Sequence, residues 1–137
     1  MADVMVVDDD DDIRELIAMR VRRLGHRVTS VGDPGAALAH ASTADVDLAL
    51  LDWSMPAMNG GELCARLREL VHLADTPILM VTAHADPETR AGAFAAGATG
   101  YLTKPFALRD LDAHVQSLLE TGHCAPLASG TDLERSA

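Results

Sequence analysis

Five polar side chains stand directly after apolar stretches of this sequence: Asp8, Asp9, Asp52, Thr82 and Lys104. If they meet at one place, each pair of carboxylates there repels by about 1–4 kcal/mol. A hard divalent cation offsets such repulsion, and Mg²⁺ suits a few carboxylates together with water and a phosphate oxygen. The ammonium and the hydroxyl can each hold a further phosphate oxygen. The set therefore predicts phosphoryl chemistry, in which one carboxylate acts as a nucleophile and forms an aspartyl phosphate.

The apolar stretches before these side chains alternate with segments of helical pattern. The former are short, continuous runs of strand length, and the latter carry apolar residues at helical spacing. We predict strands over Val4–Val7, Arg27–Val31, Val46–Leu51, Ile78–Val81 and Gly100–Thr103. We predict helices over Ile13–Leu24, Gly35–Ala41, Glu62–Leu73, Glu88–Ala96 and Ala107–Glu120. Asp11 and Asp12 are expected to cap the first helix, because carboxylates are favoured near a helix N-terminus.

This alternation predicts an α/β fold. Continuously apolar strands are typical of parallel sheets covered on both faces, and parallel neighbours need crossover helices. We therefore expect a doubly wound, five-stranded parallel sheet flanked by five helices over residues 1–120. Ligands bind beyond the carboxyl ends of the strands in such sheets, which is where the polar side chains stand. Residues 121–137 show little periodicity and are interpreted as a C-terminal tail or linker stub.

The composition argues against several other functions. A net charge of −10 disfavours binding of this chain to nucleic acid or to an anionic membrane. One Trp, one Tyr and two Phe are too few for a base-stacking surface. No apolar run reaches transmembrane length, and the N-terminus lacks the basic segment of a signal peptide. The two cysteines match no metal or redox spacing, and a cytoplasmic location is expected.

Four strings of the sequence carry a family resemblance. They are Val6-Val7-Asp8-Asp9, Leu51-Asp52-Trp53-Ser54-Met55-Pro56, Met80-Val81-Thr82-Ala83 and Gly97-Ala98-Thr99-Gly100-Tyr101-Leu102-Thr103-Lys104-Pro105-Phe106. From residue 3 to about residue 120, the chain resembles the receiver domain of two-component response regulators. It is most similar to the single-domain, CheY-like type, which has a flavodoxin-like fold. Each string alone is a weak signal, but all four in this order are highly specific.

The resemblance implies a phosphoacceptor and a metal site. Asp52 corresponds to the residue that accepts the phosphoryl group. Asp9 and Asp52 correspond to direct Mg²⁺ ligands, together with the backbone carbonyl of Ser54, and Asp8 acts mostly through water. Ser54 stands where the family frequently has Asn, so the rate of phosphoryl loss and the metal affinity are expected to differ from the usual values.

The resemblance also implies roles for residues on the last two strands. Lys104 corresponds to the lysine that contacts the phosphoryl group and the acceptor carboxylate. Thr82 and Tyr101 correspond to the switch pair, in which the hydroxyl binds the phosphoryl group while the aromatic ring moves inward. The surface of the fourth helix, fifth strand and fifth helix then changes its affinity for a partner. His84, like Ser54, lies where side chains of the family tune the rate of hydrolysis.

The partners implied are a sensor histidine kinase or a histidine phosphotransfer protein, and an output protein that the sequence does not identify. Such a module is not an enzyme with a separate substrate, since it catalyses only its own phosphorylation and slow dephosphorylation. The expected assembly is a monomer or a phosphorylation-dependent homodimer.

Two other hypotheses stay open at this point. The chain could be the receiver part of a longer DNA-binding regulator, because its last residues resemble a linker. Alternatively, it could be a Mg²⁺-dependent phosphatase that acts on a small phosphoester. Against the phosphatase, Ser54 occupies the position two residues after Asp52 where a second carboxylate could act as general acid.

Overall fold

Five parallel strands form one sheet in the structure, a computed structural model that describes residues 1–121. The strands are β1 Asp3–Val7, β2 Arg27–Val31, β3 Leu48–Leu51, β4 Ile78–Thr82 and β5 Gly100–Thr103. The helices are α1 Asp11–Arg23, α2 Pro34–Thr43, α3 Gly60–Glu69, α4 Pro87–Ala95 and α5 Leu108–Thr121. The predicted α/β fold class is confirmed. Of the predicted tail over residues 121–137, Thr121 is the last residue of α5, and residues 122–137 lie outside the described residues.

The sheet has the strand order β2-β1-β3-β4-β5, so the direction of winding reverses after β2. This reversal places the ends of β1 and β3 side by side at the topological switch point, where parallel sheets bind ligands. Val7 is in register with Leu51, and Thr82 is in register with Thr103. The residues that follow these partners are therefore brought to one edge of the sheet.

Each face of the sheet is covered by an apolar cluster, because successive strand side chains point to opposite faces. Met5 and Val7 of β1 face the cluster formed with α2, α3 and α4. Val4 and Val6 face the cluster formed with α1 and α5. This double coverage explains why β1, β3 and β4 read as uninterrupted apolar runs.

Aspartate side chains cap the N-termini of three helices, α1, α2 and α4. Asp33 and Asp86 each accept a hydrogen bond from the backbone three residues later, and a proline occupies the first turn of the helix that follows. At α1 the N-cap is Asp10, which accepts from Asp12 N and Ile13 N. Asp11 and Asp12, expected as caps, instead lie in the first turn.

The third helix differs from its prediction at both ends. Asn59 and Glu62 form a reciprocal capping box, so the helix begins at Gly60 rather than at Glu62. It ends at Glu69, and a short 3-10 turn over Val71–Leu73 replaces the predicted last helical turn. The Arg68 guanidinium stabilises this departure by donating to backbone carbonyls beyond the helix, those of Leu73, Thr76 and Gly97.

None of the helices within residues 1–121 combines the length and the apolar character needed to cross a membrane.

Candidate functional site

Three carboxylates cluster at the carboxyl edge of the sheet. The register of Val7 with Leu51 places the next residues, Asp8 and Asp52, beside each other, and Asp52 N extends the ladder by donating to Val7 O at 3.0 Å. One ligand oxygen from each of Asp8, Asp9 and Asp52 lies within 4.8 Å of the others. Asp8 is 2% exposed and Asp52 is 6% exposed, whereas Asp9 faces solvent.

A single ammonium group reaches this cluster. Lys104 Nζ donates to Asp8 Oδ2 at 2.8 Å and to Asp52 Oδ2 at 3.3 Å. Burial alone would lower the pKa of Lys104, but the hydrogen bond to Asp8 and the charges of both carboxylates raise it overall. Burial also raises the pKa of Asp8, because it outweighs the hydrogen bonds from Lys104 and Asp10. Among the described residues, one positive charge faces three carboxylates, so this part of the pocket has surplus negative charge.

The loop after β1 is fixed by hydrogen bonds to its own Asp8 and to the side chain of Arg14 in α1. Asp8 Oδ1 accepts from Asp10 N at 2.9 Å. Arg14 donates to the Asp8 carbonyl at 2.8 Å and to the Asp11 carboxylate at 2.6 Å. Arg14 was not among the predicted site residues. The helical pattern of α1 does not distinguish an arginine whose side chain bonds to the preceding loop from one that faces solvent.

The loop after β3 packs closely against two glycines at the start of α3, Gly60 and Gly61. Gly60 N donates to Trp53 O at 2.8 Å, and a Cβ on Gly60 would overlap the carbonyl oxygen of Asp52. A Cβ on Gly61 would come within 2.7 Å of the Trp53 ring. The half-buried indole of Trp53 thus packs on the start of α3 beside the acidic cluster. The two adjacent glycines at the helix start are the feature of the sequence that could have indicated this close approach.

The Lys104–Pro105 peptide bond is cis. Lys104 N donates to Thr82 O at 2.8 Å, which ties the residue after β5 to the end of β4. Thr82 is fully buried at this strand end. Thr82 and Lys104, the two side chains predicted to bind phosphate, therefore stand at the ends of the neighbouring strands β4 and β5. These strands and β1 lie on opposite sides of β3.

Tyr101 lies inside the protein rather than on its surface. Its ring is 3% exposed, and its hydroxyl donates to His84 O at 2.7 Å. Burial and the charge of Asp86 raise the pKa of Tyr101 to about 12. The Arg90 guanidinium lies 5.4 Å from the centroids of both the Tyr101 and Phe94 rings. The aromatic side chain is thus buried, and its hydroxyl links β5 to the β4–α4 loop.

Ser54 and His84 meet at the solvent side of the site. Ser54 Oγ lies 2.6 Å from His84 Nε2, and Ser54 N donates to Asp52 Oδ1 at 3.4 Å. His84 N donates to Thr82 Oγ1 at 3.3 Å. The structure therefore brings every predicted site residue to one region, and adds a side-chain contact between the two expected to tune the rate.

The donor set fits a hard divalent cation. All of the side-chain ligand atoms are carboxylate oxygens, they lie close enough together to share one ion, and the pocket carries surplus negative charge. Neither histidine nor cysteine belongs to the cluster, so among the described residues nothing favours a softer metal there.

Comparisons with known proteins identify the family. The model of the response regulator receiver domain matches residues 4–116. The chain is 33% identical over 122 residues to the sensory transduction protein RegX3 of Mycolicibacterium smegmatis, covering 89% of this chain and 52% of RegX3. It is 34% identical over 116 residues to the phosphate regulon transcriptional regulatory protein PhoB of Pseudomonas aeruginosa, covering 85% of this chain and 51% of PhoB.

Among solved structures, the chemotaxis response regulator CheY4 of Vibrio cholerae superposes with a TM-score of 0.83 at 37% identity. The match covers 87% of this chain and 99% of CheY4. The chain thus spans about half the length of the curated relatives it matches and nearly the full length of this structural neighbour. On its sequence, its fold and the shared family model, this chain belongs to the response regulator receiver domain family of two-component systems.

Proposed function

We propose that this domain accepts a phosphoryl group on Asp52 from the phosphohistidine of a sensor histidine kinase or a histidine phosphotransfer protein. The P–N bond of the donor breaks as an Asp52 carboxylate oxygen bonds to phosphorus, which leaves neutral imidazole on the donor once it takes up a proton. The observation that carries the proposal is the cluster of Asp8, Asp9 and Asp52 with Lys104 Nζ between two of its members. A surplus of carboxylates around one ammonium is suited to binding a cation and an anion together.

Asp9, Asp52 and the carbonyl of Ser54 would hold Mg²⁺ directly, with Asp8 acting mostly through water. When bound, the ion supplies positive charge that neutralises phosphate oxygens. Lys104 moves little, because it already contacts Asp52, and it donates to the phosphoryl group as charge develops. The Thr82 hydroxyl is free to donate to a phosphate oxygen while its oxygen accepts from His84 N.

We further propose that Thr82 and Tyr101 form the switch. The Tyr101 hydroxyl bonds to the β4–α4 loop, and its ring contacts Phe94 of α4 at 6.3 Å between centroids. A phosphoryl group that draws Thr82 towards Asp52 would therefore change this loop and the surface formed by α4, β5 and α5. That surface is where an output partner would bind, and water would slowly return Asp52 to the carboxylate.

The length of the relatives bears on the protein to which this domain belongs. RegX3 and PhoB are about twice as long as the matched region, which favours an output region after residue 120 in a longer regulator, with residues 121–137 as the linker. A single-domain protein that binds a separate output partner is the alternative. We propose a cytoplasmic module, monomeric or dimerising on phosphorylation, that does not itself bind nucleic acid.

The test is phosphorylation by acetyl phosphate with Mg²⁺, read by intact-mass spectrometry. The wild-type chain should gain one phosphoryl mass, and Asp52→Asn should gain none. Asp75→Asn is the control, because it removes the same charge from an exposed loop at the opposite edge of the sheet. A phosphoryl mass on Asp52→Asn, or continuous release of phosphate from small phosphoesters, would contradict the proposal, the latter in favour of a phosphatase.

A further inference from the structure

The side chain of Arg14 reaches back from α1 to the loop that precedes this helix. Its Nη1 donates to Asp8 O at 2.8 Å, and its Nη2 donates to Asp11 Oδ1 at 2.6 Å. Only 18% of the Arg14 side chain is exposed. Hydrogen bonds from a charged donor contribute more to stability than those between neutral groups. The guanidinium is therefore anchored through two of its nitrogens.

A glycine in the neighbouring loop leaves room for this guanidinium. Gly32 directly follows β2, and a Cβ on it would lie 3.0 Å from Arg14 Nη1. The end of β2 also holds the backbone of Asp8, whose N–H donates to Val31 O at 3.3 Å. Both backbone polar groups of Asp8 are thus bonded, the N–H to β2 and the carbonyl to Arg14.

The carboxylate of Asp9 depends on its backbone for its position. It is exposed, and within residues 1–121 it takes part in no hydrogen bond or ion pair. The peptide group before Asp9 contains the Asp8 carbonyl that Arg14 binds. On the other side, Asp10 N donates to Asp8 Oδ1 at 2.9 Å, and Asp10 O accepts from Arg14 N at 2.9 Å. Contacts on either side of Asp9 therefore set the direction in which its carboxylate leaves the chain.

We propose that Arg14 is a positioning residue of the metal site: by holding the Asp8 carbonyl it keeps the Asp9 carboxylate directed at Mg²⁺, an inference that rests on the proposed function. Lys104 contacts the other two carboxylates of the cluster, so Asp9 is the member that the backbone alone must orient. Without the guanidinium, the loop gains conformations in which Asp9 points elsewhere. Binding of the ion then costs the entropy of ordering that loop.

Charge and position predict opposite results at Arg14. The guanidinium is a positive charge next to an acidic cluster, so its charge alone opposes the binding of a cation. Arg14→Gln removes this charge and would strengthen Mg²⁺ binding if charge were the main effect, whereas loss of positioning weakens it. Arg14→Lys keeps the charge but lacks the planar fork that joins Asp8 and Asp11, so it should weaken binding as well.

The test is a titration of the chain with Mg²⁺ alone, followed by the fluorescence of Trp53. This residue is the single tryptophan, and it lines the same groove as Asp9. Arg14→Gln and Arg14→Lys should each raise the dissociation constant about tenfold, as is typical when an outer partner of a metal site is removed. Arg22→Gln is the matched control, because it removes the same charge from the exposed end of the same helix, where Arg22 lies 3.7 Å from Glu15. It should leave the dissociation constant unchanged.

Two measurements separate positioning from a general loss of structure. Both Arg14 variants should unfold in urea as cooperatively as the wild-type domain in a chelator. Their phosphorylation by acetyl phosphate should be slow at low Mg²⁺ and should reach the wild-type rate at saturating Mg²⁺, because Lys104 keeps its contact with Asp52. A rate that stays low at saturating Mg²⁺ would overturn the proposal, since the defect would then lie beyond binding of the ion.

Unchanged or tighter Mg²⁺ binding by Arg14→Gln, or wild-type affinity in Arg14→Lys, would overturn the positioning role while leaving phosphorylation of Asp52 intact. A wild-type chain that binds Mg²⁺ but gains no phosphoryl mass would overturn the proposed function, and the titrations would still decide the role of Arg14. Absence of Mg²⁺ binding by the wild-type chain would overturn both proposals.

Discussion

Replacing Asp9 by asparagine should make the metal-free domain more stable. Its ligand oxygen lies within 4.8 Å of those of Asp8 and Asp52, and the one ammonium in the cluster donates to those two carboxylates. The substitution therefore removes two repulsions without breaking either contact of Lys104.

The size of the gain follows from Coulomb's law. At 4.8 Å each repulsion costs about 1 kcal/mol in water and about 3 kcal/mol at an effective dielectric constant near 20. Asp9 is exposed while its neighbours are buried, so solvent screening keeps each of the two repulsions close to its value in water. We expect the free energy of unfolding to rise by about 1–2 kcal/mol in a chelator at low salt.

Urea denaturation with and without Mg²⁺ measures this difference. Saturating Mg²⁺ should stabilise the wild-type domain, by about 2.7 kcal/mol at a hundredfold excess over the dissociation constant, and Asp9→Asn much less. The difference in stability between Asp9→Asn and the wild-type domain should therefore shrink or change sign when Mg²⁺ is present. Asp75→Asn serves as the control for net charge and should change stability little under both conditions.

Two outcomes would refute the reasoning. If Asp9→Asn is no more stable than the wild-type domain in the chelator, the carboxylates do not repel appreciably in the folded state. If Asp75→Asn gains as much as Asp9→Asn, the effect belongs to the overall charge of −10 and not to the cluster.

Three further predictions concern single residues. Asp8→Asn should gain stability relative to the wild-type domain as the pH rises above 3.8. The raised pKa of Asp8 means that folding favours its protonated form, so the stability that this form contributes is present below pH 3.8 and is lost as the pH rises. Urea titrations at several pH values check this. Gly60→Ala should lower the free energy of unfolding by more than about 2 kcal/mol and slow phosphorylation, because its Cβ overlaps the Asp52 carbonyl. Unchanged melting curves and an unchanged rate of phosphorylation by mass spectrometry would show that the loop adjusts instead. In a Cys124→Ser background, Cys64 should react with a thiol reagent at pH 8 only on unfolding, because burial raises its pKa to about 11; rapid native labelling would contradict its placement.

Much of the fold was predictable because its signals are local. The Asp-Pro pairs that start α2 and α4 act within one helical turn, and the apolar runs of β1 and β4 reflect burial on both faces. The limits of α3 were predicted less well. Its start depends on a capping box, and its end is stabilised by the contact of Arg68 with Gly97, 29 residues away.

The same distinction applies to the site. Asp52, Thr82 and Lys104 could be placed together from the sequence, because each ends or follows a strand and parallel strands end at one edge of the sheet. Arg14 and Gly60 could not, since their roles depend on how closely a helix approaches a neighbouring loop.

The sequence by itself determined the chemistry that this domain can offer: its carboxylates, its ammonium and the strand ends that carry them. Only the tertiary structure decided which groups touch. The register of Val7 with Leu51 sets the spacing of the carboxylates, and the contact of Ser54 with His84 joins the loops that follow β3 and β4. Such contacts join residues far apart in the chain, and their distances depend on the packing of the whole sheet and its helices, which no local pattern encodes.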